Sequence, residues 1–516
     1  MFKKHKIALG VSAGILGVVG ALTSAQAVHL NPDGTGQVLL FPYFNAQQGY
    51  QTNINLVNST DQTKAVKIRF REGKYSNDIL DFNIYMSPED VWVGTVKAGD
   101  DGKGNLIGHL RTTDKSCTLP MEAAADCDST GADGKNRCEA VVPFTGHNLY
   151  KNVTADDTRE GYIEVIEMGV VEDAAVQTGV LHNKGKPNDC KTVEEAWKKG
   201  SFTQGAGSAA KGLSAPTGGL FGSSAVLNVS AGAAFTLDPV AIDNYSTQAQ
   251  HYLSHDPDKF LLPSLASGNV DSSSLMVKKP SGEAELVVTT WNQTQDTCLN
   301  DGDALTPACG TNPYPIAHVL LAPHLMNEYY LDPSFGYDGH TDWVVTFPMK
   351  KHGIHATKKD VLANFEKGIY DREEGRANWT ATPGGQVTDS FGFSPPVGIN
   401  ATVDDSSMLL REVNVISFKS TDLSYDASRT VLSSSSKQTL SVGPFISGWA
   451  RLSFPGYDLS SGFKSAAAYS ATPSAYAATS GIYKGVPATG ASFIEGTTGK
   501  GGQRVGDALP HKIQRD

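Results

Sequence analysis

The sequence is short of the patterns that mark many enzymes. No two cysteines stand in a CxxC pair, no H-E-x-x-H is present, and Gly218-Gly219-x-x-Gly222 is not followed by the G-K-[ST] of a phosphate loop. Charge is scarce as well. Asp, Glu, Lys and Arg make up 19% of the chain, with 43 basic against 54 acidic residues and no long basic run. That balance argues against nucleic acid as a partner and against an anionic membrane surface. Long apolar runs are missing after Leu22, so no transmembrane segment is expected beyond the N-terminus.

The N-terminus is the exception. Lys3, Lys4 and Lys6 precede an apolar stretch from Ile7 to Leu22, and Ala25-Gln26-Ala27 supplies small residues for a peptidase. This predicts a signal peptide over 1–27, cut between Ala27 and Val28. The G-x-S-x-G match at Gly10 to Gly14 lies inside that leader, where no sheet exists to give it meaning. All six cysteines follow the leader, which points to disulfides in an oxidising compartment. Cys298 and Cys309 flank LNDGDALTPA, far from the others, and are expected to pair. Cys117, Cys127, Cys138 and Cys190 allow three connectivities.

What the chain has in quantity is alternation. In YQTNINLVNSTDQTKAVKIRFR (50–71), Ile54 and Leu56 alternate with Asn53 and Asn55, and Val66, Ile68 and Phe70 with Lys67, Arg69 and Arg71. Period two means a strand with one buried and one wet face. The Asn58-Ser59-Thr60-Asp61 turn between the runs predicts an antiparallel hairpin with Lys67 and Arg69 outward. On that reading, Lys67→Asp or Arg69→Asp costs less than about 1 kcal/mol. Leu80, Phe82, Ile84 and Met86 continue the pattern, then VWVGTV after a turn at 87–90. Later strands are expected at 161–169, 225–229, 284–291, 341–349, 411–418 and 448–454. Helices are expected at Thr192–Gly200, opened by a Thr192/Glu195 capping box, and at 358–368.

The fold class is therefore all-β: immunoglobulin-like β-sandwich domains with long loops and a few short helices. The expected organisation is a leader (1–27), an N-terminal β-sandwich (28–170), a loop-rich segment with a short helix (171–222), a second β-rich domain (223–460) and a Ser/Ala/Gly-rich tail (461–516).

Several stretches resemble a group of secreted proteobacterial cell-surface proteins without an established activity. They include GQVLLFPYF, NINLVNSTDQTKAVKIRFRE, DFNIYMSPEDVW, REGYIEVIEMG, GGLFGSSAVLNV, NEYYLDPSFGYDGHTDWVVTFPMK, REVNVISF and SGWARLSF. The resemblance implies export and a β-rich surface protein, and it carries no catalytic residue.

No set of residues reads as a catalytic site. Asp371-Arg372-Glu373-Glu374 reads as an exposed charged turn. His251/His255 and His352/His355 lack the companions of a metal face and read as surface histidines. No cofactor is expected, with calcium on acidic loops as the one ion to consider. Its candidate ligands are Asp126 and Asp128 in DCDSTGADGKN and Asp301 and Asp303 in NDGD, with GDDGKGN (99–105) as a third loop. The expected function is an exported structural or adhesive component of the bacterial cell surface or extracellular matrix, periplasmic retention being the other address. The alternative is a secreted carbohydrate-binding protein or glycan hydrolase, served by exposed aromatics such as Tyr329 and Tyr330. Expected partners are further copies of the chain, through outward Lys67 and Arg69, or a surface polysaccharide.

Overall fold

A computed structural model describes residues 27–120, 139–202, 210–253, 262–278, 281–292, 312–334, 337–352, 361–363, 368–373, 393–394, 408–423, 430–454, 468–471, 482–498 and 504–515. The fold is all-β with a few short helices, and its sheets pack face to face. No described helix is long and apolar enough to cross a membrane.

The first ten strands are β1 (His29–Leu30), β2 (Val38–Asn45), β3 (Gln51–Asn58), β4 (Lys64–Glu72), β5 (Asp78–Met86), β6 (Val91–Asp100), β7 (Leu106–Thr112), β8 (Cys117–Leu119), β9 (Ala140–Pro143) and β10 (Glu160–Val171). They divide between two sheets. The first runs β1, Val240–Asp243, β2, β10, β4, β5, β8; the second runs Ala233–Leu237, Leu220–Asn228, β3, β6, β7, β9.

β3 and β4 are not a hairpin. β3 pairs with β6 and Leu220–Asn228 in the second sheet, whereas β4 pairs with β5 and β10 in the first. The turn at 87–90 likewise takes the chain from one sheet to the other. Asn58 fastens both crossings: its Nδ2 donates to Gln62 O at 2.8 Å and to Ser87 O at 2.9 Å, and its Oδ1 accepts from Thr60 Oγ1 at 2.7 Å. Alternation settles which side of a strand is apolar, but it leaves the neighbouring strand open.

The expected boundaries also move. Leu220–Asn228, Ala233–Leu237 and Val240–Asp243 belong to the two N-terminal sheets, so 223 does not begin a separate unit. The expected tail supplies Thr489–Thr498, Arg504–Pro510 and Lys512–Gln514 to C-terminal sheets. Those sheets are a six-stranded one (Phe393–Ser394, Gln438–Ser441, Val413–Lys419, Tyr337–Thr346, Thr489–Thr498, Arg504–Pro510) and a four-stranded one (Ile369–Asp371, Ser447–Ser453, His324–Tyr330, Lys512–Gln514).

Three cores join these four sheets into a stack. Ile54, Leu56 and Trp92 of the second sheet meet Phe41, Ile68, Phe82 and Val165 of the first. The other side of the first sheet, through Leu40, Tyr43 and Tyr162, meets Val344, Val415 and Phe493 of the six-stranded sheet. That sheet turns Trp343, Val345 and Phe418 onto Leu325, Tyr329, Ala450 and Leu452 of the four-stranded one. The first sheet is thus an inner layer, which is why β2, β4 and β10 are buried at every position while β3 and β6 alternate.

The helical insertion comprises α1 (Ala174–Val180), capped by Asp173 through the N–H groups of Ala175 and Val176, and α2 (Lys191–Lys198). The Thr192/Glu195 box does not form. α2 starts at Lys191, and the Thr192 hydroxyl donates to Asp189 O at 2.8 Å. Val361–Leu362 pairs with Met408–Leu409 as a strand, so the helix expected over 358–368 is absent from the part described.

Cys117 on β8 is bonded to Cys190 beside α2, one of the three connectivities left open. Cys127, Cys138, Cys298 and Cys309 lie outside the described residues. The bridge spans 73 positions and ties the helical insertion to the edge of the inner sheet. A Cys117→Ser/Cys190→Ser variant is expected to lose about 2–4 kcal/mol, read as a lower urea midpoint. An unchanged midpoint would show the insertion to be held by its core alone.

Candidate functional site

The groups with most chemical potential lie on the inner face of β4, β5 and β10. Lys67, Arg69 and Arg71 project there, Lys64 projects from the other face of β4, and all are buried. Four carboxylates answer them. Lys64 Nζ lies 2.6 Å from Glu167, Lys67 Nζ 3.1 Å from Asp81, and Arg69 Nε 2.7 Å from Asp78. Arg71 grips Glu164 with two bonds, 3.0 Å from Nε and 3.2 Å from Nη2. Arg69 also reaches Asp81 at 3.4 Å and donates to Pro263 O at 2.6 Å. The expected wet face is therefore interior, and Lys67 and Arg69 are not available to a partner copy. Their charges are matched one for one across neighbouring strands, the condition under which buried ions are tolerated.

The C-terminal half closes over this layer. Lys351 donates to Asn77 Oδ1 at 2.9 Å, and Val413 N–H to Gly73 O at 2.8 Å. Nearby, Glu160 accepts from Tyr43, Ser434 and Ser436 at 2.7–2.8 Å. Burial pushes the Asp78 carboxyl up to about 6, reinforced by Asp81 and opposed by Arg69. Burial works the same way on Glu164, but Arg71 and Arg69 outweigh it and hold that group below its usual value. At Glu412 the nearby Lys350 opposes burial without outweighing it. Burial, with Glu72 nearby, raises it to about 7 from 4.5.

That shift has a measurable sign. Between pH 4.5 and about 7 the folded chain keeps a proton on Glu412 that the unfolded chain releases, so this group's contribution to stability falls as pH rises. The slope is at most about 1.4 kcal/mol per pH unit. Glu412→Gln is expected to flatten the fall and to be the more stable form at pH 8. Melting curves from pH 4.5 to 8 check it, and parallel wild-type and variant profiles would refute it.

Other candidates prove structural. His251 and His352 are buried, not superficial. The Tyr85 hydroxyl and His251 Nε2 are 2.7 Å apart, and Phe202 stacks on the imidazole at 4.9 Å. Burial holds both histidines down near pKa 3. His255 and His355 lie outside the described residues. Ser273 Oγ sits 2.8 Å from His318 Nδ1, the spacing of a nucleophile and its base. Yet Trp291 Nε1–H donates to the same Oγ at 2.7 Å, and Ser273 and His318 have no exposed surface. Burial keeps His318 near 3, too weak a base for general-base work at neutral pH.

Asp126, Asp128, Asp301 and Asp303 lie outside the described residues. In the 99–105 loop, Asp101 accepts from Asn105 N–H at 3.0 Å, Asn105 Nδ2 at 2.8 Å and Lys103 N–H at 2.8 Å. Donors aimed at both oxygens make a turn of it rather than a cation site. No cluster of metal-ligating side chains occurs among the described residues. Asp371, Arg372 and Glu373 do form a turn, from which Arg372 pairs with Asp332 at 3.2 Å.

Two outward faces stand out among the described residues. On the second sheet, Phe221, Val57 and Val91 align across three strands, with Ser223, Asn55 and Val93 in the next row. Val91, Val93 and Phe221 are each more than a third exposed. Thr95 Oγ1 donates to Asn53 at 3.0 Å and Asn55 Nδ2 to Ser223 Oγ at 3.3 Å, which keeps the amides flat on the sheet. At the other end of the stack, Tyr370 and Trp449 stack at 4.4 Å and 9° on the four-stranded sheet, with Glu328 opposite Trp449 on its other side. Tyr329, expected outside, is buried, and its hydroxyl donates to Tyr370 O at 2.9 Å. The Trp449 platform escaped the sequence reading because SGWARLSF shows one more alternating strand and nothing of Tyr370 beside it.

Comparison with known protein families, with curated proteins and with solved structures finds no match.

Proposed function

We propose that this chain is an exported structural or adhesive component of a bacterial surface or extracellular matrix, working by binding rather than by catalysis. The observation that carries this reading is the outward face of the second sheet, where Val91, Val93 and Phe221 lie in flat rows with Asn53 and Asn55. Apolar rows rimmed by amides suit contact with another copy of the chain. The lysine, arginine and carboxylate groups of β4, β5 and β10 are buried and paired. The Cys117–Cys190 bridge is consistent with the oxidising compartment that the Lys3 to Ala27 leader implies. The test is Val93→Asp/Phe221→Asp on cells, with antibody fractionation into periplasm, outer surface and medium. Because these side chains face outward, unfolding should shift by less than about 1 kcal/mol, while retention on cells or self-association is lost. Normal retention would remove this face from the reading.

A second reading, carbohydrate binding, is favoured by Trp449. Its indole is 37% exposed, backed by Tyr370 and bordered by Glu328, as an aromatic platform for a sugar ring would be. Trp449→Ala should abolish polysaccharide pull-down if this face binds glycan, without touching retention through the other.

A further inference from the structure

We propose that Lys67 and Asn83 are joined by an intramolecular isopeptide bond between β4 and β5, formed with Asp81 as the proton-transfer group. Lys67 and Asn83 lie directly opposite in the antiparallel register, and both are wholly buried. Opposed side chains on such strands start from Cβ atoms about 5 Å apart, within reach of a lysine amine. Lys67 Nζ donates to Asp81 Oδ2 at 3.1 Å, and Asp81 shares a face of β5 with Asn83, two residues away. Asn83 Nδ2 donates to Tyr252 O at 3.1 Å, while its Oδ1 is buried and accepts no hydrogen bond among the described residues. A carbonyl left so is costly to bury.

The setting supplies what amide exchange needs. The amine must be neutral, and burial lowers the pKa of Lys67, with Arg69 adding to the effect. Water must be absent, and both side chains are wholly buried. The reactants must be held together, which converts a slow bimolecular reaction into an intramolecular one. Lys67 first passes a proton to Asp81. The freed lone pair attacks Cγ of Asn83, and the C=O π electrons move onto Oδ1. Asp81 returns the proton to Nδ2, the Cγ–Nδ2 bond breaks, and the carbonyl re-forms as Nζ gives up its extra proton to Asp81. Ammonia leaves and takes that proton with it as ammonium, so Asp81 ends as the carboxylate that Arg69 holds at 3.4 Å. Nothing is oxidised or reduced. Lys64 and Glu167, the tightest pair in the layer, are not equivalent. Glu167 offers no amide, and the N–H groups of Thr217 and Gly218 occupy its oxygens at 3.0 and 2.7 Å.

The experiment is intact-mass measurement and peptide mapping of the full purified chain under denaturing conditions. The expected wild type is lighter by one ammonia and yields a branched peptide joining Lys67 to Asn83. Lys67→Arg retains a cation beside Asp81 and should have full mass and two separate peptides. Asp81→Asn, which keeps both partners but removes the proton carrier, should also remain unlinked. A wild-type map with separate peptides and a free Lys67 ε-amine overturns the proposal, whichever variants fold. So does a mass short by one water with Lys67 joined to Asp81, which would assign the bond elsewhere.

Discussion

Arg69→Ala is expected to lower the unfolding free energy by about 3–5 kcal/mol, the range for removing one partner from a buried ionic network. The guanidinium bonds Asp78, Asp81 and Pro263 O, all in the interior. Alanine leaves Asp78 facing Asp81 without the cation between them. Asp78 is already raised to about 6 with Arg69 present, so little opposes its protonation once the arginine is gone. The damage should be larger at pH 8 than at pH 5, because a protonated Asp78 no longer repels its neighbour. Urea titrations at both values read this as a midpoint shift at constant m-value. A variant that unfolds with the wild type would mean that the arginine has no energetic share in the layer. A second change, Arg69→Met with Asp78→Leu, removes cation and anion together and should recover part of the loss, since matched apolar groups can replace a buried pair.

The sequence and the structure agree where the signal is apolar and part where it is charged. Trp343, Val345 and Phe347 were legible as one face, and so were Ala450, Leu452 and Phe454; all six sit in one core. The even spacing of Val66, Ile68 and Phe70 located the side of β4 that meets the second sheet. Lys67, Arg69 and Arg71 have the same spacing, but a row of cations looks alike whether it meets water or a row of anions. The anions were present in the sequence, at Asp78 and Asp81 on the next strand and at Glu164 and Glu167 on β10. Matching them required knowing that β10, nearly a hundred residues away, pairs with β4. The missed hairpin has the same root. The Asn58–Asp61 turn signals a reversal, and a reversal within one sheet or across two reads alike at the level of residue type. For the candidate site less was legible still. The histidines looked superficial because polar residues surround them in sequence, whereas Tyr85, Trp197 and Phe202 surround His251 in space.

Ile68→Asp is expected to be the most damaging single change, at about 5 kcal/mol or more. Ile68 is fully buried between the first two sheets, among Leu56, Val165 and Phe82. Truncating such a side chain alone costs about 2–5 kcal/mol, and a carboxylate in that apolar layer adds a further penalty because no cation is in reach. Lys67, Arg69 and Arg71 cannot help, since they project from the opposite side of the strand, and Lys64 is held by Glu167 at 2.6 Å. Set beside Arg69→Ala, this gives a signature of the inner layer. Adjacent positions on β4 face different partners, and both should be severe. β3 supplies the contrast. Leu56→Asp should resemble Ile68→Asp, whereas Asn55→Asp, on the exposed side of the same strand, should cost less than about 1 kcal/mol. The measurement is one set of urea midpoints for the four variants. Severe effects at Ile68 and Arg69 alike, with a split between Leu56 and Asn55, place β4 inside the stack and β3 on its surface. A mild Arg69 variant with a severe Ile68 one would return β4 to an outer sheet with one wet face, and the four-layer packing would be wrong.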